Sequence, residues 1–124
     1  MRTAVILLGH GSRSGDADRS IRAVADGFRK AAGDIEVEHA FLQYVSPSLP
    51  EALERCVGKH ADRIVIVPLF LQGGTHVTKD IPALVALARK QYPSVTVVVT
   101  EYVGAHPLMA KIVEELVRNK VAEP

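Results

Sequence analysis

Two histidines stand where this chain could do chemistry. His10 lies in Gly9-His10-Gly11-Ser12-Arg13, and His76 in Gly73-Gly74-Thr75-His76-Val77-Thr78. Each follows an apolar run, Thr3 to Leu8 for the first and Arg63 to Val67 for the second. The glycines let the backbone turn sharply and approach a ligand closely. A neutral imidazole can hold a borderline divalent metal such as Co²⁺, Ni²⁺, Fe²⁺ or Zn²⁺, and it can equally take a proton near neutral pH. One histidine in a glycine loop is more often a hydrogen-bonded turn residue. Two of them at the same sheet edge point to function.

The elements that must position these loops alternate strand and helix four times, the pattern of an α/β domain with a mainly parallel sheet. The strands are expected over residues 3–8, 35–42, 63–67 and 95–100. Alternation of Ile35, Val37 and Phe41 with Glu36 and Glu38 places the second strand at a sheet edge. Helices are expected from Asp16 to Ala32, with Ile21, Val24, Ala25 and Phe28 inward, and from Ser46-Pro47-Ser48 onward, with Leu49, Ala52, Leu53, Cys56 and Val57 inward. A third runs from about Val77 to Gln91, with Ile81, Leu84, Val85 and Ala88 inward. A fourth starts near His106-Pro107 and is expected to bury Met109, Ile112, Val113, Leu116 and Val117. Right-handed crossovers then favour a single three-layer domain over residues 1–124, with a four-stranded sheet in the order 2-1-3-4.

Composition narrows the function classes. A chain of 124 residues with 48% hydrophobic residues can bury a core. Fifteen basic against 14 acidic residues, net +1, argue against a dedicated nucleic-acid binder, and 5% aromatics with no Trp make base-stacking platforms unexpected. The lone Cys56 can form no internal disulfide or cysteine cluster, which fits a reducing cytoplasm, and it reads as a small core residue. No apolar run approaches the ~18 residues of a membrane span. The run from Ala4 to Leu8 is too short for a secretion signal and ends in Gly-His-Gly instead of a small-residue cleavage site.

In the order 2-1-3-4 the first and third strands are neighbours, about 4.8 Å apart. His10 and His76 can therefore face one cavity beyond the carboxyl ends of the strands. Gln43 and Tyr44 leave the second strand there, and Glu101 and Tyr102 leave the fourth. Ser12, Arg13, Thr75, Thr78 and Lys79 would make an anion-friendly rim beside helix N-termini; Arg13 and Lys79 read equally as solvated surface. His106 before Pro107 is as much a helix-start residue as a site residue. His39 and His60 read as structural or surface groups.

Leu8-Gly9-His10-Gly11-Ser12-Arg13, Pro68-Leu69-Phe70-Leu71, Gly74-Thr75-His76-Val77, Asp80-Ile81-Pro82 and Gly104-Ala105-His106-Pro107-Leu108 together resemble the CbiX/SirB sirohydrochlorin chelatases. The resemblance covers essentially the whole chain. It implies a chelatase-like fold and ATP-independent insertion of Co²⁺ or Fe²⁺, in some relatives Ni²⁺, into a sirohydrochlorin-type tetrapyrrole on the way to cobalamin or sirohaem. The metal is then a substrate, with no permanent cofactor. His10 and His76 match the family's two active-site histidines, which bind the incoming metal or accept pyrrole protons. Ser12, Arg13, Gln43, Thr75, Lys79 and Glu101 become candidate substrate-binding residues, over an apolar floor from Leu8, Leu71 and Val77. The short form implies a homodimer with the cleft built between two copies.

One position departs from the family. Many relatives carry glutamate where this chain has Gln43, and a neutral amide can only donate and accept hydrogen bonds. Two alternatives stay open on that account: a non-catalytic tetrapyrrole or metal-binding module, or one half of a hetero-oligomeric chelatase. A histidine phosphatase is disfavoured, because Gly9 stands where that chemistry has arginine before the histidine.

Overall fold

Apolar runs and amphipathic segments alternate along the chain, and they fold accordingly. The computed structural model describes residues 1–14, 16–75 and 79–123. In order, the elements are β1 (Thr3–Gly9), α1 (Asp16–Ala32), β2 (Glu36–Phe41), α2 (Leu49–Gly58), β3 (Arg63–Pro68), α3 (Ile81–Gln91), β4 (Thr96–Val99) and α4 (Leu108–Val121), with a 3₁₀ turn at Val103–Ala105. The sheet is four-stranded in the order β2-β1-β3-β4, as expected, and every pairing is parallel. Val5 lies between Val37 and Val65, and Val65 lies beside Val98.

The two faces of the sheet bury alternate residues. On one face Val5, Leu7, Val37 and Phe41 pack under Ile21 and Ala25 of α1. On the other, Ala4, Ile6, Leu8, Ile64, Ile66 and Val97 pack under Leu49, Ala52, Leu53 and Cys56 of α2 and under Ile81, Val85 and Ala88 of α3. Each fully buried leucine or isoleucine contributes about 1.5–3 kcal/mol relative to exposure. Cys56 is a core residue, and burial, reinforced by the Glu38 and Glu36 carboxylates, pushes its thiol up to about 12.

The edge strands β2 and β4 have carbonyls without a neighbouring strand to bond, and a helix arginine reaches each edge. The Arg29 guanidinium donates to Val37 O at 3.0 Å, and that of Arg89 donates to Val97 O at 2.8 Å. Both bonds pair backbone groups that would otherwise lean on solvent.

Three expectations need correction. Val24 of α1 is 49% exposed; Ile21 and Ala25 alone of that group are fully buried, with Phe28 half-buried. Leu8 is sealed in the core and floors no cavity. The largest correction concerns α4, where Ile112, Val113, Leu116 and Val117 are exposed and only Met109 is half-buried. The amphipathic stripe belongs to the helix alone, whereas its burial depends on where the preceding turn sends it. The Gly104 N–H donates to Phe70 O at 2.9 Å, which fastens that turn to the loop after β3. From there α4 leaves, touching chiefly the turn that precedes it. The expected start of α3 at Val77 lies outside the described residues.

Candidate functional site

The site begins where β1 ends. The backbone beyond Leu8 is held from both sides: the Leu42 N–H donates to Gly9 O at 3.0 Å, the Gln43 N–H to His10 O at 3.1 Å, and the Leu69 N–H to Leu8 O at 2.8 Å. Gly11 adopts φ 87°, and a Cβ there would come within 1.8 Å of Gln43 O. Only glycine fits, because the conformation is left-handed and the neighbouring backbone occupies the space. The glycines around His10 thus let the β1 loop lie flat against the β2 loop.

His10 is presented by that loop and steadied by the loop after β3. Its ring stacks on Phe70 with centroids 3.9 Å apart and planes 17° from parallel. Phe70 is itself buried, 2% exposed, so the stacking surface is part of the core. Face-to-face stacking fixes the plane of the imidazole, and the ring nitrogens lie at its edge. The exposed His10 borders two cavities. One, of about 500 Å³, is lined by His10 and by Leu69, Phe70, Leu71, Gln72, Gly73 and Gly74. The other, of about 430 Å³, is lined by Gly9 to Ser12, with Ser20, Ile21, Val24, Phe41 and Leu69. Val24, expected in the core, thus borders this cavity.

The candidate residues distribute unevenly around this edge. Ser12 lines the second cavity, and its Oγ accepts from the Ser14 N–H at 3.2 Å. Arg13 is exposed, with its guanidinium 4.7 Å over the Tyr44 ring, a cation–π contact at the rim. The Gln43 side chain is exposed while its backbone is bonded to His10. Thr75 and Lys79 are exposed on either side of the undescribed segment. Glu101 lines a separate cavity with Val67, Tyr102 and His106, whose lining does not include His10. His76, Val77 and Thr78 lie outside the described residues. His106 takes the helix-start role, its Nδ1 accepting from the Leu108 N–H at 3.1 Å. His39 Nε2 lies 3.3 Å from Asp18 Oδ1 and joins β2 to α1. Among the described residues no three His, Cys, Asp or Glu side chains gather into a metal-binding group.

Sequence reasoning gave no role at the site to two contributors, Leu69 and Phe70, which line the cavity. The ring of Tyr102, expected at this edge, lies where a Cβ on Gly73 would meet it at 3.0 Å. Phe70 is visible in the sequence as an aromatic just past a strand end. That it would stack on His10 follows only from β1 and β3 being neighbours.

The arrangement places an imidazole, stacked on Phe70, beside an apolar lip at the carboxyl end of a parallel sheet. Known proteins resemble this one over nearly the whole chain. The CbiX family model matches residues 4–120. The chain is 30% identical to the sirohydrochlorin cobaltochelatase of Methanopyrus kandleri, over 97% of this chain and 98% of that one. It is also 30% identical to the chloroplastic sirohydrochlorin ferrochelatase of Arabidopsis thaliana, over 93% of this chain and 51% of that protein. The crystal structure of the sirohydrochlorin chelatase SirB from Bacillus subtilis subspecies spizizenii in complex with cobalt superposes with a TM-score of 0.86 at 29% identity, covering 96% of this chain and 51% of SirB. The chain therefore spans about half the length of the plant and Bacillus proteins and nearly all of the archaeal one. With its sheet order, its histidine loop and all but a few terminal residues matched, this chain belongs to the CbiX family.

Proposed function

We propose that this chain inserts a divalent metal ion, Co²⁺ or Fe²⁺ with Ni²⁺ as a further candidate, into a sirohydrochlorin-type tetrapyrrole without ATP. The observation that carries the reading is His10, stacked on Phe70 at the lining of a cavity of about 500 Å³, in a chain whose relatives are named for this chemistry. Insertion requires three events: the macrocycle is gripped, two pyrrole N–H protons leave, and a partly dehydrated M²⁺ takes their place. The macrocycle rests on the lip formed by Leu69, Leu71 and the Gly73-Gly74 backbone. Ser12, Arg13, Thr75 and Lys79 pair with its carboxylates as charge-assisted hydrogen bonds. His10 offers a ring nitrogen to the metal and then to a departing proton. His76 shares that role on the strength of its sequence motif alone.

Residues 1–124 act as one chelatase domain in the cytoplasm, as a homodimer. A single strand-end rim is small against a broad disc with carboxylates around its edge, and two copies could enclose it. Gln43 supports the rival reading of a non-catalytic module or half of a hetero-oligomer, because it removes a titratable acceptor beside His10.

Absorbance of sirohydrochlorin mixed with the purified chain and Co²⁺, Fe²⁺ or Ni²⁺ in turn tests the proposal. Metal insertion faster than in protein-free buffer is expected. His10→Ala should lose about 10²-fold or more while keeping its circular dichroism, since the imidazole is outside the core. Insertion no faster than in buffer would favour the non-catalytic reading. Gln43→Glu is expected to raise the rate and steepen its pH dependence. Glu101→Gln should change the profile less, because Glu101 lines a cavity apart from His10.

A further inference from the structure

Tyr44 holds a backbone conformation that its side chain disfavours. Its φ is 68°, in the left-handed region where a bulky residue is an outlier. Neighbouring bonds keep it there. The Gln43 N–H is bonded to His10 O, and Gln43 O is pressed against Gly11, where a Cβ finds no room. The same Gln43 O accepts from the Val45 N–H at 2.8 Å, closing a three-residue turn with Tyr44 at its centre. Such a turn with a positive φ at its middle is the rare, strained kind. Asparagine or glycine would fit this position with less strain.

The strained residue adds nothing to the core, since Tyr44 is 60% exposed. Its ring serves Arg13 instead, whose guanidinium lies over it at 4.7 Å. Other arginines of the chain sit against carboxylates: Arg22 against Asp18, Arg29 against Asp26 and Arg118 against Glu114. Among the described residues Arg13 pairs with no carboxylate, and its neighbour is an uncharged ring. An aromatic face attracts a guanidinium without occupying its N–H groups. The donors are thus left for a forked bond to a carboxylate from outside the chain. Strain of this kind persists at sites where it holds a functional group in place.

We propose that Tyr44 is a positioning residue for the substrate: its ring holds the Arg13 guanidinium at the rim, where it pairs with one carboxylate of the tetrapyrrole. This rests on the chelatase reading above and deepens it. Arg13 follows His10 in the same loop, and Tyr44 follows Gln43, whose N–H is bonded to His10 O. Ring, guanidinium and imidazole therefore share one backbone frame. A carboxylate gripped at Arg13 fixes how the macrocycle approaches His10, so the pair contributes orientation rather than chemistry.

Titration of sirohydrochlorin onto the purified chain without metal, followed by absorbance, tests the pair beside steady-state chelation. Tyr44→Asn and Tyr44→Gly remove the ring and accept the left-handed backbone. Each is expected to raise Kd about three-fold, with the loss in chelation falling on KM more than on kcat. Neither should unfold at a lower urea concentration than the parent, because the strain goes with the ring. Tyr44→Phe keeps the aromatic face and should restore the parent Kd. Arg13→Gln should raise Kd about ten-fold. Arg13→Gln combined with Tyr44→Asn should also stay at about ten-fold, because Tyr44 acts through Arg13. A parent-like Kd in both Tyr44→Asn and Tyr44→Gly overturns the proposal. So does a multiplied loss of about thirty-fold in the double variant, since the ring would then meet the macrocycle itself. A lower urea midpoint in both Tyr44 variants also overturns it, because the ring would then serve the fold. A parent chain that binds no sirohydrochlorin overturns this proposal and the chelatase reading together. The titration needs no metal, so the expected pattern can hold in a chain that never chelates and can fail in one that does.

Discussion

Helices α2 and α4 carry the same kind of sequence and meet opposite fates. Both have apolar residues at helical spacing, both are short, and both follow a strand. Leu49, Ala52, Leu53 and Cys56 of α2 are at most 3% exposed, while Ile112, Val113, Leu116 and Val117 of α4 are at least 48% exposed. The difference lies in the connectors. The chain leaving β2 is folded back at once, with the Phe41 N–H donating to Pro47 O at 2.9 Å, and this delivers α2 beneath the sheet. The chain leaving β4 is instead bonded to the loop after β3. The helix starts differ as well. Ser48 Oγ accepts from the Glu51 N–H and Glu51 Oε1 accepts from the Ser48 N–H, a reciprocal cap at the head of α2. Pro107 at the head of α4 has no such side-chain bond, and His106 Nδ1 takes the Leu108 N–H instead. An apolar stripe states that a helix has a face to bury. The path into the helix decides against what.

The contrast can be broken or sharpened by substitution. The largest effect is expected for Leu53→Ala, which empties a buried site and should cost about 2–5 kcal/mol in urea unfolding, at any protein concentration. Leu116→Ala should leave unfolding of the dilute chain within about 0.5 kcal/mol of the parent. Under the homodimer proposed above, its loss should appear instead as a weaker rise of Tm with protein concentration. Equal losses for both variants at every concentration would mean that α4 is packed within its own chain, and the contrast would collapse.

Smaller effects probe the helix starts. Ser48→Ala should cost about 1 kcal/mol by removing the cap of α2, read from the same urea curves. His106→Ala, which removes the nitrogen that receives the Leu108 N–H, should cost less, since the start of α4 is exposed and water can replace the bond. A larger loss for His106→Ala would show that the connector, and not α2, is the more strongly held helix start.

The smallest effect is one of pH. The backbone N–H of Ser48, then its side chain, hold the Glu51 carboxyl below its ordinary value of 4.5, with Arg55 nearby adding to this. A carboxyl depressed in the folded state stabilises above its unfolded pKa, and that contribution fades as pH falls through the folded value. Stability should therefore slope downward below about pH 4.5, and Glu51→Gln should make that slope shallower, its loss of stability showing at neutral pH and fading in acid. Identical acid limbs for parent and variant would remove Glu51 from the account.

Much of this molecule was legible in residue order alone. Four apolar runs separated by amphipathic segments required a parallel α/β sheet, and connection rules led to the order 2-1-3-4. The alternation in Glu36–Phe41 marked an edge strand, and the spacing around Cys56 marked a core thiol. His10 between glycines was visible as a strand-end histidine, and the chain's motifs carried the family. These features are local: they depend on side-chain period and on the backbone freedom of particular residues. Tertiary structure alone decided that Phe70 stacks on His10, that Leu8 is sealed away from the cleft, that Glu101 lines a different cavity, and that α4 stands clear of its own sheet. Each of these depends on the relative placement of segments far apart in sequence. Periodicity and propensity describe one segment at a time, whereas placement is set by strand register and by a few connector hydrogen bonds, such as that from Gly104 to Phe70.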